Sequence, residues 1–107
     1  MHARVARFEG RDPERIRQGM EEVKRRVASW EPSKDMPAVE FLALYQAEEG
    51  KVLTIALFET EEDMRRGDET LNRADPPGGG GGAGGRVSVE FYEVGVKAEP
   101  PRPSAAV

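Results

Sequence analysis

The sequence predicts an α+β domain with the order β-α-β-β-α-β, and three observations carry that expectation. Residues 39–47 and 52–58 are rich in apolar and aromatic side chains and are joined by the short Glu48-Glu49-Gly50 loop, so they read as a hairpin. Two other stretches repeat apolar residues at helical spacing. A short alternating segment lies near each end of the chain.

The elements follow in order. Residues 3–9 read as a first strand closed by Gly10. Asp12-Pro13-Glu14 then supplies a capping carboxylate, a proline at the first helical position and an acid in the first turn, all favourable at a helix N-terminus. Ile16, Met20, Val23, Val27 and Trp30 follow at spacings of four and three, which lines them along one side of the first helix. Gly19 interrupts at about 1 kcal/mol relative to alanine, which makes it a candidate for close packing. Pro32 and Pro37 bracket the loop that ends this helix.

The hairpin comes next. With a three-residue turn ending in a left-handed Gly50, Phe41, Ala43, Tyr45, Leu53, Ile55 and Leu57 would share one face, and Leu42, Leu44, Val52, Ala56 and Phe58 the other. Thr60, followed by Glu61, Glu62 and Asp63, caps a second helix that buries Met64, Leu71 and Ala74 and stops at Asp75-Pro76-Pro77. After the glycine run, residues 86–96 form the last strand, with Val87, Val89 and Phe91 on one side and Tyr92, Val94 and Val96 on the other. This is the split βαβ order of ferredoxin-like folds, with two helices on one face of a four-stranded antiparallel sheet.

Both faces of the hairpin are apolar, yet two helices cover only one. An exposed apolar face of several hundred Å² is unusual for a soluble monomer, so a second copy of the chain is expected to cover the rest, giving a homodimer through the sheet face.

The 107 residues fit one domain over 1–96, with a flexible glycine-rich loop at 78–85 and a proline-rich, disordered tail at 97–107. The 16 basic and 20 acidic residues leave a net charge of −4, which disfavours a nucleic-acid backbone as partner. The first helix is the more basic and the second the more acidic, and Glu21/Arg25, Glu22/Arg26, Glu61/Arg65 and Glu62/Arg66 stand at i,i+4 spacing as solvated pairs. The absence of cysteine excludes disulfides, thiolate catalysis and Cys-ligated zinc. No apolar run has the length of a membrane span, and Arg4 and Arg7 stand where a signal peptide would need apolar residues, so no membrane association and a cytoplasmic location are expected.

No motif carries a reaction. The glycine run follows a helix and feeds a strand without a Lys-Ser or Lys-Thr pair, which is not the order of a phosphate loop. Residues 51–58 lack the glycine and interleaved aromatics of an RNA-stacking strand. His2 is the lone histidine and cannot build a metal cluster, so neither metal nor cofactor is expected. Tyr45 and Tyr92 sit in mostly apolar strands and bring hydroxyls that need partners if buried. Arg7 is positioned to meet them or an exposed acid, and Trp30 ends the apolar stripe of the first helix as core or as pocket wall.

Three segments, Met1-His2-Ala3-Arg4-Val5, Leu57-Phe58-Glu59-Thr60-Glu61-Glu62-Asp63-Met64 and Val87-Ser88-Val89-Glu90-Phe91-Tyr92-Glu93-Val94, give the chain a resemblance over residues 1–96 to the dimeric α+β barrel domains related to antibiotic biosynthesis monooxygenases. The resemblance implies two sheets paired back to back into a barrel with the helices outside. It implies either a small-molecule-binding or interaction domain, taking a small apolar or aromatic ligand between sheet and helices, or a cofactor-independent monooxygenase acting on a small aromatic or quinol-type compound. For the latter, Tyr45 or Tyr92 would position the ring and Arg7 or His2 would stabilise an enolate or phenolate. The haem-degrading members carry a histidine on the second helix, and residues 61–75 contain none, which argues against haem degradation here. No residue matches a catalytic motif, and the ligand-contact candidates are Arg7, Trp30, Tyr45, Tyr92 and His2.

Overall fold

A computed structural model of the chain describes residues 1–10, 12–74 and 85–99. The stop at 75–77, the glycine run up to residue 84 and the tail beyond Glu99 lie outside the described residues. The elements are β1 (His2–Glu9), α1 (Pro13–Ala28), β2 (Glu40–Gln46), a 3₁₀ turn (Ala47–Glu49), β3 (Lys51–Phe58), α2 (Glu61–Ala74) and β4 (Gly85–Glu93). They build one antiparallel sheet in the order β2-β3-β1-β4.

Local chemistry sets the helix ends. Asp12 accepts from the Arg15 N–H at 2.9 Å with Pro13 at the first position of α1, and the Asp63 N–H donates to Thr60 Oγ1 at 3.0 Å ahead of α2. Three of the four expected i,i+4 pairs form, Arg26–Glu22, Arg65–Glu61 and Arg66–Glu62, whereas Glu21 pairs with Lys24 instead of Arg25. The last strand ends at Glu93, three residues before its expected end, because the chain turns away across the sheet.

Both helices pack on one face. Ile16 and Met20 of α1 bury against Ala6, Phe8 and Val52, and Met64 of α2 buries with Ala38, Ala56 and Phe58. Phe58 and Ile16 are the largest side chains with no exposure at all.

The hairpin register differs from the expectation by one residue. Gln46 pairs with Lys51 and Tyr45 with Val52, so four residues form the loop, Ala47 to Gly50, rather than three. Gly50 does take the left-handed conformation, with φ 67°. A one-residue change of register moves every side chain to the other face. Leu42 and Leu44 therefore join Leu53, Ile55 and Leu57 on the face without helices, and Phe41, Ala43 and Tyr45 lie with Val52, Ala56 and Phe58 beneath the helices.

The barrel is corrected. The sheet is open: β2 and β4 are its two edges and do not pair with each other. Four strands twisting by roughly 20–25° per step cannot bring the edges of this sheet together, so the chain forms a twisted open layer. Beyond β4 the chain crosses the helix-free face near one end of the sheet. The Val94 N–H donates to the Met1 carbonyl at 2.8 Å, and Lys97 Nζ meets Glu40 Oε1 on the opposite edge at 2.9 Å. Ala3 and Leu57 are buried in that row although no helix covers them.

No helix among the described residues is long and apolar enough to cross a membrane.

Candidate functional site

The helix-free face holds the arrangement with the most chemistry. β1 presents Arg7 on this face, and β4, paired antiparallel beside it, presents Glu90 and Tyr92 two residues apart and hence on the same side. Arg7 Nε donates to Glu90 Oε1 at 3.0 Å, and the Tyr92 hydroxyl donates to Glu90 Oε2 at 2.6 Å. One carboxylate thus bridges a guanidinium and a phenol. The Tyr92 hydrogen bond and the Arg7 guanidinium hold the Glu90 carboxyl below its ordinary range, and the same hydrogen bond to Glu90 pushes the Tyr92 phenol up. At neutral pH the trio is a carboxylate locked in its charged form and a phenol locked in its protonated form. It can orient a bound group but holds no proton poised for transfer.

Those shifts set a pH dependence. A carboxyl lowered by folding contributes stability above its unfolded value, and that contribution is lost as pH falls through the lowered value; a raised phenol contributes below its unfolded value and loses it as pH rises through the raised one. The trio is therefore intact across the neutral range. Tyr92→Phe is expected to move the Glu90 titration upward towards the ordinary carboxylate range, read by NMR of the side-chain carboxyl; an unmoved titration would break the assignment.

Beside the trio lies a hollow of about 460 Å³ whose walls include Leu44, Leu53 and Val87, with Arg7, Glu9 and Lys51 around it. Its shape follows from the backbone. Ser88 pairs with Arg7 while Arg86 pairs with Phe8, leaving Val87 as the extra residue of a bulge, 57% exposed. Leu42 and Leu44 extend the apolar floor to the β2 edge, 44% and 47% exposed.

The five candidate residues do not form one pocket. Arg7 and Tyr92 meet through Glu90 on the open face. Tyr45 belongs by register to the opposite side of the sheet, in a groove of about 220 Å³ between α1 and β2, and it also borders the open-face hollow that Arg7 lines. Trp30 packs on Ala38, Ala56, Phe58 and Met64 as partly buried core. His2 stands at the start of β1 between Phe58 and Glu93, on the helix side with Arg4. Arg7 and Tyr92 face away from Trp30, so those three do not line one space between sheet and helices.

Sequence reasoning missed Glu90, although its position two residues before Tyr92 in an alternating strand was the available signal. It also missed a second polar cluster under α2. Arg4, buried in β1, bonds Asp68 Oδ1 through Nε at 2.8 Å and Asn72 Oδ1 through Nη2 at 3.2 Å. Arg86 of β4 donates to the same Asn72 oxygen. A charged residue inside an apolar strand, and an acid and an amide at i,i+4 on one helix, were its traces in the sequence.

No family model matches the chain, and no curated protein matches it. The relationship to antibiotic biosynthesis monooxygenases, the barrel assembly it implied and monooxygenase chemistry are set aside accordingly. The fold and site define a small α+β domain with one helix-covered and one open sheet face.

Proposed function

We propose that the chain is a non-catalytic interaction domain that works through the open face of its sheet, packed on the same face of a second copy. The observation that carries this reading is the apolar floor of Leu42, Leu44, Leu53, Ile55 and Val87, three members of which are more than two-fifths exposed. Isolated exposed apolar residues are ordinary, but a contiguous set on a flat sheet is the signature of an interaction surface.

The charges favour self-pairing. The face carries Arg7, Lys51 and Lys97 against Glu9, Glu40 and Glu90, so it attracts neither a strongly acidic nor a strongly basic partner. An isologous interface needs a self-complementary patch, and mixed charges around an apolar floor supply one.

Area sets the expected strength. Four strands about 4.8 Å apart and about 25 Å long give a projected face of roughly 500 Å² per subunit. Two such faces total roughly 1,000 Å², below the about 1,200 Å² at which stable specific interfaces begin, so a weak dimer with a dissociation constant in the micromolar range or above is expected rather than an obligate one. Sedimentation equilibrium between about 1 µM and 1 mM should show a monomer–dimer equilibrium. Ile55→Lys, which sets a charge in the middle of the floor, should leave a folded monomer throughout. A wild-type chain that stays single over the whole range would end this reading.

A second reading has its own support. The hollow of about 460 Å³ falls within the size range of small-molecule pockets, and its apolar walls beside Arg7 and Lys51 suit a small apolar or aromatic ligand. Native mass spectrometry of the purified protein reports assembly and any retained small molecule in one measurement.

A further inference from the structure

The open face is not bare along its whole length. Register sets Tyr92, Ala3, Leu57 and Glu40 side by side in one row across the four strands, and this is the row that the chain crosses after β4. The effect is visible within one strand. Leu57 is 8% exposed, whereas Leu53 and Ile55, on the same side of β3, are only partly buried. Ala3 in the same row is 7% exposed, although no helix lies over either residue.

The crossing segment is lightly held. Its last backbone bond to the sheet is that of the Val94 N–H to the Met1 carbonyl, and among the described residues no backbone hydrogen bond secures 95–99. Gly95 leaves the chain free to pivot, since even a methyl group there would meet nothing within 4 Å. Val96 is 87% exposed and anchors nothing. What fastens the far end is Lys97, whose Nζ lies 2.9 Å from Glu40 Oε1 and 3.7 Å from Glu99 Oε1. Both sides of the Lys97–Glu40 pair are partly open to solvent, and a pair of that kind favours the closed contact by about fivefold at most.

We propose that residues 95–99 form a strap that restrains self-association, closed over one end of the open face by Lys97 and Glu40 and displaced when a second copy takes the whole face. The proposal rests on the face-to-face pairing inferred above and adds its regulation. Two sheets pack about 10 Å apart, a gap that their own side chains fill, so a chain lying on the row of Ala3 and Leu57 keeps a second sheet from closing there. With that row withheld, the roughly 1,000 Å² of two faces falls to roughly 750 Å², within the range of incidental contacts. Each subunit must release its own strap, so the latch enters the association constant twice. A gain of about fivefold in the open fraction of each subunit becomes about 25-fold in association.

Sedimentation equilibrium of the full chain and three variants tests this. Lys97→Gln and Glu40→Gln each remove the latch and should tighten self-association by about tenfold. The swap of Lys97→Glu with Glu40→Lys rebuilds the pair and should return it to the wild-type value. Each single change leaves the face with an unbalanced charge, which by itself would push two copies apart, so tightening in both marks release of the strap. A second measurement reads the strap in the single chain. Relaxation of the Leu57 and Ala3 methyl groups by a neutral gadolinium chelate, extrapolated to low protein concentration, should rise towards the value at Leu44 in both single variants and stay low in the wild type and the swap. A Leu57 as accessible as Leu44 in the wild type, or unmoved by both substitutions, overturns the strap. So does a methyl response without tighter association among chains that pair. Four chains that all stay single up to about 1 mM would end the pairing itself, and this proposal with it.

Discussion

Asp68→Ala is expected to lower the unfolding free energy by about 3 kcal/mol, the lower end of the range for breaking a buried ion pair, because Asp68 itself keeps some contact with solvent. Arg4 would be left with its charge buried and only the Asn72 oxygen, shared with Arg86, as partner. Such a loss lowers the melting temperature of a domain this size by roughly 12 °C or more. Replacing both members, Arg4→Met with Asp68→Leu, removes the stranded charge as well as the attraction, and should return stability to within about 1 kcal/mol of wild type. Urea unfolding of the two single variants and the double variant closes the cycle. A double variant as unstable as the worse single would show that the cluster does more than anchor α2 to β1.

Gly67→Ala should also destabilise, by about 1–3 kcal/mol, although alanine is the better helix former by about 1 kcal/mol. Gly67 is buried in α2 directly over Phe58, and a methyl group there would overlap the ring at Cε1 and Cζ. The ring cannot swing clear, since Phe58 has no exposure and is held by Ala38, Ala56 and Met64. Combining Gly67→Ala with Phe58→Leu should therefore be less damaging than the sum of the two changes, because the smaller side chain vacates the contested space. Strict additivity in thermal or urea unfolding would place the two residues out of contact. Of the two helix glycines, the sequence drew attention to Gly19, which is buried; the overlap that fixes Gly67 depends on a strand residue nine positions earlier and on how the helix folds back over it.

The open face shows most directly what one sequence leaves undecided. The apolar run in each hairpin strand made both faces legible as greasy, but not which side chains shared a face. That depended on whether the turn held three residues or four, and Ala47 entering the turn reversed the pairing of the whole of β2. Arg7 and Tyr92 were legible as candidates since each is polar in a mostly apolar strand. Their separation from Trp30 by the thickness of the sheet was not, because it follows from the same register and from the side the helices choose.

By itself the sequence determined the order of elements, both helix starts and the left-handed Gly50. Asp12, Thr60 and the proline at position 13 act on backbone groups within a few residues of themselves, and their effect is complete before the chain meets anything distant. Tertiary structure alone decided that the sheet stays open with β2 and β4 as its edges, that Arg4 finds Asp68 across 64 positions of sequence, and that Glu90 joins Arg7 to Tyr92. Those pairings exist only once strands far apart in the chain have taken their register. None can be read from any one segment, and together they choose among arrangements that the segments alone leave equal, because a fold's net stability is a small difference between large opposing terms.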